Sequence, residues 1–131
     1  MIDVQRTDFV AVPTRDRERA AAFYGETLGL TKNPSSTDTW IEFETGNLTL
    51  QILEPEAFGM EFRPSPNPLA LHVEDVPAAR KELEDRGITF LADTMDSGVC
   101  HMAPFADPDG NVLMLHHRYA PPEARPPGVE G

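Results

Sequence analysis

The chain carries a single cysteine, Cys100. That excludes an intrachain disulfide and any thiolate metal cluster, both of which need several sulfurs. Positive charge is also scarce. Eleven Lys and Arg residues stand against 22 Asp and Glu, for a net charge of −11. A nucleic-acid binder neutralises phosphates with a basic footprint, and none is visible, so no nucleic-acid partner is expected. No apolar run approaches the roughly 18 residues of a membrane span, so no membrane partner is expected either. The opening Met1-Ile2-Asp3-Val4-Gln5-Arg6 has no apolar signal core, and the cytoplasm is the expected compartment. There is no Gly-rich phosphate loop, no Ser-His-Asp order and no dinucleotide fingerprint. Asp107-Pro108-Asp109-Gly110-Asn111 looks like a calcium loop but lacks the closing Glu and a flanking helix pair, so a hairpin turn is expected.

What is present suits one small soluble domain. The 131 residues are 40% hydrophobic and 25% charged, enough to bury a core without staples. The acidic excess favours solubility or attraction of a cationic ligand. Prolines number 13, and Pro121, Pro122, Pro126 and Pro127 all follow Arg118. The stretch 119–131 is therefore expected to be an extended or disordered tail.

Residues 4–13 read as a strand, with Val10 and Val12 alternating against Phe9 and Ala11. Thr14-Arg15-Asp16 supplies helix caps and Gly29 a stop. Between them Ala20, Phe23, Tyr24 and Leu28 recur at helical spacing. Residues 38–45 and 48–53 read as strands joined at Gly46-Asn47, a strong hairpin signal. Residues 54–68 hold Pro55, Pro64, Pro66 and Pro68 and read as a linker or lid. The order then recurs. A strand at 69–73 leads to a helix capped by Asp75, with Pro77 in its first turn and Gly87 at its end. Strands at 88–92, 99–105 and 112–117 follow.

The recurrence holds in register. Asp16 and Asp75 each open a helix, 59 positions apart, and Val10 and Val12 match Leu69 and Leu71 at the same offset. Gly46-Asn47 recurs 64 positions on as Gly110-Asn111. Self-similarity at a long period marks duplicated modules. The expected architecture is α+β. Two β-α-β-β-β modules, at about 4–54 and 68–118, form a curved, partly open barrel-like cavity with the helices outside.

Three segments carry a resemblance. They are Val12-Pro13-Thr14-Arg15-Asp16 with Phe23-Tyr24 and Leu28-Gly29-Leu30, then Leu69 to Val76 with Gly87, then Phe105-Ala106-Asp107-Pro108-Asp109-Gly110-Asn111. In this order the sequence resembles the glyoxalase/bleomycin-resistance/dioxygenase superfamily, whose fold is the vicinal oxygen chelate. The resemblance implies paired modules and often a homodimer, and a C₂ dimer is also the commonest oligomer. It also implies metal ligands on four strands. Counting from the helix-opening Asp residues and the turn Gly, three of those positions are Phe9, Pro68 and Met114 here. None offers a donor for a hard divalent ion. The fourth position falls at Leu50 or Gln51, and Gln51 is the better inward candidate, because an amide is costly against an apolar helix face. No cofactor and no metal at the usual positions are therefore expected, although a divalent metal at an atypical site stays open.

Other residues can still do chemistry. His72 shares a face with Pro68, and His116 with Met114, so the pair can converge as general acid and base or hold a shifted metal. The plainer alternative is two strand-end histidines at the rim. His101 joins them only if its face is the inward one, and its neighbour Cys100 then faces away. His117 should point away from His116, towards the surface with Arg118 and Tyr119. Trp40, Phe62, Phe9, Gln51 and Met114 are candidates to line an apolar ligand pocket, and Phe58-Gly59-Met60-Glu61-Phe62 a lid over it. Trp40 and Phe43 differ in strand parity, so at most one points inward. Two functions compete, ahead of a bland accessory domain. One is a metal-independent small-molecule-binding protein that sequesters a cationic or aromatic ligand, which the apolar ligand positions and the charge favour. The other is a lyase, isomerase or dioxygenase that uses His72 and His116 or an atypical metal.

Overall fold

Apolar alternation decides which side of each strand is buried. The computed structural model describes residues 1–128, and the chain divides into two units, Met1–Ser65 and Pro66 onward. The first contains β1 (Phe9–Pro13), α1 (Arg17–Ala22), β2 (Thr31–Lys32), β3 (Ile41–Glu44) and β4 (Thr49–Leu53). The second contains β5 (Leu69–His72), α2 (Val76–Asp85), β6 (Met95–Asp96), β7 (Cys100–Ala106) and β8 (Val112–Arg118). The sheets have the same plan, β1-β4-β3-β2 and β5-β8-β7-β6. In each, the first strand runs parallel to the last and the other pairs are antiparallel. Two duplicated α+β modules are the architecture that the repeat implies.

The helices start where the sequence places caps. The Asp16 carboxylate accepts from the Arg19 N–H at 3.1 Å, and that of Asp75 from the Ala78 N–H at 3.0 Å. Pro77 lies in the first turn of α2, where its missing N–H costs nothing. After Ala22, α1 widens into a π turn, Phe23–Thr27, which buries Phe23 and Tyr24. The Tyr24 ring lies 6.3 Å from that of Phe43 on β3. In module one Val12, Ile41, Phe43, Leu50 and Ile52 are buried on this helix side. In module two Ala103, Phe105, Leu113 and Leu115 are buried in the same way, together with Val76 and Leu83 of α2.

Register corrects the repeat by one residue. Val10 pairs with Leu50, and Leu69 with Leu113. Equating Val10 with Leu69 therefore equates Leu50 with Leu113 and Gln51 with Met114. The 64-residue offset of the turn glycines equates Leu50 with Met114 instead, because module one holds one more residue between its turn and its last strand.

Several strands differ from expectation. The strand expected over 4–13 begins only at Phe9, where its partner β4 begins at Thr49. Trp40 precedes β3, because Thr37 and Trp40 close a turn of their own. The segment 88–92 makes only one bridge, Phe90 to Phe105. The Arg80 guanidinium of α2 holds it instead, donating to the Ala92 carbonyl at 2.8 Å and lying 4.5 Å over the Phe90 ring. The edge strand forms at Met95–Asp96.

The tail is anchored at its start. Tyr119 N–H donates to the Val99 carbonyl at 3.0 Å. Arg118 Nη2 donates to the carbonyls of Pro121 and Ala124, each at 2.8 Å. Pro127 packs so close to Gly98 that a Cβ there would meet its ring at 2.4 Å, and Gly98 also has φ +91°, so glycine is required twice over. Residues 129–131 of the expected tail lie outside the described residues.

Candidate functional site

The face of each sheet opposite its helix carries the distinctive side chains. In module one, pairing sets Phe9, Thr49 and Glu44 in one row across the strands and Ala11, Gln51 and Glu42 in the next. Their neighbours along the strands, Leu50, Ile52, Ile41 and Phe43, are the buried helix-side residues. Gln51 is thus on the face opposite α1 together with Phe9, which is 48% exposed. Glu44 Oε1 accepts from Thr49 Oγ1 and from Asn33 Nδ2, both at 2.8 Å, which fixes its carboxylate over the sheet.

Trp40 and Phe62 sit elsewhere in module one. Trp40 is half exposed, and its ring is 6.2 Å from that of Phe58 in the turn Pro55–Phe58. These two, with Arg17, Ile52, Leu53 and Glu54, border a cleft of about 250 Å³. Arg17 Nε pairs with Glu54 Oε2 at 2.9 Å beside it. Phe62 is buried beneath Arg15, whose guanidinium carbon lies 4.6 Å from the ring centroid. In the expected lid, then, Phe62 is covered while Phe58 and Met60 stay exposed.

In module two the face opposite α2 holds Ala70 and His72 from β5, Met114 and His116 from β8, and Met102 and Pro104 from β7. Met114 stands between Ala70 and Pro104, and His116 between His72 and Met102. Pro68 immediately precedes β5. His72 and His116 are therefore strand neighbours, but the contact His72 makes is different. Its ring lies 5.5 Å from that of His117, and its Nε2 lies 3.0 Å from Glu74 Oε1. The hydrogen bond from His72, and then its charge, hold the Glu74 carboxyl below the usual range. One donor atom each from His72, Glu74 and His117 lies within 4.8 Å of the others. Strand parity alone sends His117 away from this group; the end of edge strand β5 brings them together.

His101 is paired with His117 and has the parity of the helix-side residues, so it does not join His116. Its Nε2 lies 3.4 Å from Asp96 Oδ2, and its ring 4.8 Å from that of Tyr119. The Tyr119 hydroxyl and the Gly98 N–H both donate to Asp96 Oδ1 at 2.8 Å. The Gly98 bond first and the Tyr119 bond second lower the Asp96 pKa, and the same bond to Asp96 raises that of Tyr119. His101 is thus part of the tail anchor.

Residues 9–116 match the glyoxalase-like domain. The chain belongs to that family. Solved members of the glyoxalase/bleomycin-resistance/dioxygenase superfamily share its fold. A glyoxalase/bleomycin resistance protein from Streptomyces sp. CB03234 is 27% identical, with a TM-score of 0.69 over 86% of this chain and 100% of that one. An antibiotic binding protein from the same organism is 24% identical, with a TM-score of 0.75 over 90% of this chain and 99% of that one. A superfamily member from Nocardioides is 20% identical, with a TM-score of 0.74 over 100% and 93%. No curated protein matches the chain. Within this glyoxalase-like fold, the residues at three positions implied to hold metal are a phenyl ring, a pyrrolidine ring and a thioether. They do not fit a hard divalent ion.

Proposed function

We propose that this glyoxalase-like protein binds a cationic or aromatic small molecule and sequesters it, without a metal at the family's usual positions. The observation that carries the reading is the row Phe9, Thr49, Glu44 on module one, with Gln51 and Glu42 beside it. Two strand spacings separate Phe9 from Glu44, about 10 Å, roughly the span of a two-ring cation. The exposed ring offers its face and the carboxylates offer opposite charge. The net charge of −11 draws a cation towards the protein from farther away. A solved neighbour is itself an antibiotic binding protein. The side chains of Phe9, Pro68 and Met114 offer no donor for a hard divalent ion.

The test is a calorimetric titration with a panel of cationic, neutral and anionic aromatic compounds. Saturable binding confined to cationic members supports the proposal. Equal binding of the anionic members, or none across the panel, overturns it. A second reading rests on the pairing of His72 with His116. An acid–base lyase, isomerase or dioxygenase using both requires turnover that His116→Ala abolishes. We further propose a homodimer in the cytoplasm, checked by light scattering at micromolar concentration, where a monomeric mass refutes the dimer. Among the described residues no helix is long and apolar enough to cross a membrane.

A further inference from the structure

We propose that His72, Glu74 and His117 form a site for one borderline divalent ion, of the Cu²⁺, Ni²⁺ or Zn²⁺ class. The site uses none of the positions Phe9, Pro68 and Met114. It is built from one strand end and its neighbour. His72 closes β5, and Glu74 follows two residues on, just before the helix cap Asp75. In extended chain, residues two apart share a side, and here the pair is hydrogen-bonded at 3.0 Å. His117, from the adjacent strand β8, brings a second imidazole to 5.5 Å from the first.

The donor set selects the ion. Two imidazoles and one carboxylate suit borderline transition ions and leave positions for water, whereas Mg²⁺ and Ca²⁺ want oxygen shells. Metal–nitrogen bonds of about 2.0–2.1 Å in a tetrahedron separate donors by about 3.3 Å. The three donor atoms already lie within 4.8 Å of one another, so the required contraction is about 1.5 Å at most. The side chains of His72 and Glu74 are 63% and 87% exposed, so rotation can supply it. Among the described residues, His117 Nδ1 is buried and has no hydrogen-bond partner. A metal-bound imidazole usually gains affinity from a partner on its second nitrogen, and exposure weakens the site further. Affinity is therefore expected to be modest, in the order Cu²⁺ above Ni²⁺ and Zn²⁺.

The experiment is titration of untagged, chelator-stripped protein with Zn²⁺, Ni²⁺ and Mg²⁺ in a non-coordinating buffer, followed by calorimetry. Bound Cu²⁺ is read by its nitrogen splitting in electron paramagnetic resonance. One equivalent of Zn²⁺ or Ni²⁺ binds, Mg²⁺ does not, and Cu²⁺ shows two coupled nitrogens. His72→Ala weakens binding at least about tenfold, and Glu74→Gln weakens it less. Both positions are exposed, so both variants keep the parent circular dichroism spectrum. His101→Ala, which removes the tail histidine instead, leaves the metal affinity unchanged. No saturable binding of Zn²⁺ or Ni²⁺, binding that His72→Ala leaves intact, or loss in His101→Ala equal to that in His72→Ala overturns the proposal.

Discussion

The two modules share one plan and differ on the face away from the helix. Module one offers Phe9, Gln51, Glu42 and Glu44 there, and module two offers Met114, His116 and Met102. The helix-side faces, by contrast, are interchangeable in kind. Ile41, Phe43, Leu50 and Ile52 do in one what Ala103, Phe105, Leu113 and Leu115 do in the other. Duplication thus preserves the packed side, where each methylene is felt, and frees the other side to carry different chemistry. The hairpins differ as well. Module one turns on Gly46-Asn47, with Thr45 Oγ1 donating to the Leu48 carbonyl at 2.7 Å. Module two turns around a buried carboxylate. Asp107 accepts from the N–H groups of Asp109 and Asn111 and from Asn111 Nδ2, at 2.9, 2.9 and 2.7 Å.

The largest effects should come from the shared side. Phe43→Ala and Phe105→Ala are each expected to lower unfolding free energy by about 3–5 kcal/mol in urea denaturation. A cost under about 1 kcal/mol for either would break the equivalence of the helix-side faces. Next comes the hairpin contrast. Asp107→Ala strands three donors and should cost about 1.5–3 kcal/mol, whereas Thr45→Ala should cost about 1 kcal/mol or less. Equal losses would mean that the two turns are alike after all. The caps should be matched, with Asp16→Ala and Asp75→Ala each costing about 0.5–2 kcal/mol.

The smallest effect concerns the tail anchor that only module two has. Asp96 titrates below 3.8 in the folded protein, so its contribution is present above that pH and is lost as the pH falls through the lowered value. Tyr119 titrates above 10.0, so its contribution is present below pH 10 and is lost as the pH rises through the raised value. Tyr119→Phe should flatten both limbs of a plot of melting temperature against pH. Unchanged limbs would remove the Asp96–Tyr119 bond from the account.

The fold was legible because alternation, caps and turn glycines all recur in the chain. Asp16, Asp75 and Pro77 sit where the sequence puts them. Edges were less legible. A two-residue strand such as Met95–Asp96 has no periodicity to read, and the competing claim of Arg80 on Ala92 is a contact across 12 residues. The candidate site was legible in part. Parity puts Gln51 with Phe9, and Met114 with His116, once the register is known. It fails at strand ends, where His117 meets His72 despite opposite parity. It also gives no hint that His101 turns to Asp96 and Tyr119, because that contact depends on where the tail returns. Phe62 reads as an open lid residue, yet Arg15 covers it, a pairing across 47 positions that no local pattern announces.

The central claim is that the protein holds a cationic ligand without metal at the usual positions. Its most direct test is titration of the tightest-binding cationic aromatic compound into chelator-stripped protein, alone and with one equivalent of Zn²⁺. The account predicts the same affinity in both, an affinity lowered about two- to fivefold by Phe9→Ala and unchanged by His72→Ala. Binding that appears only after Zn²⁺ is added, or that Phe9→Ala leaves untouched, would contradict it.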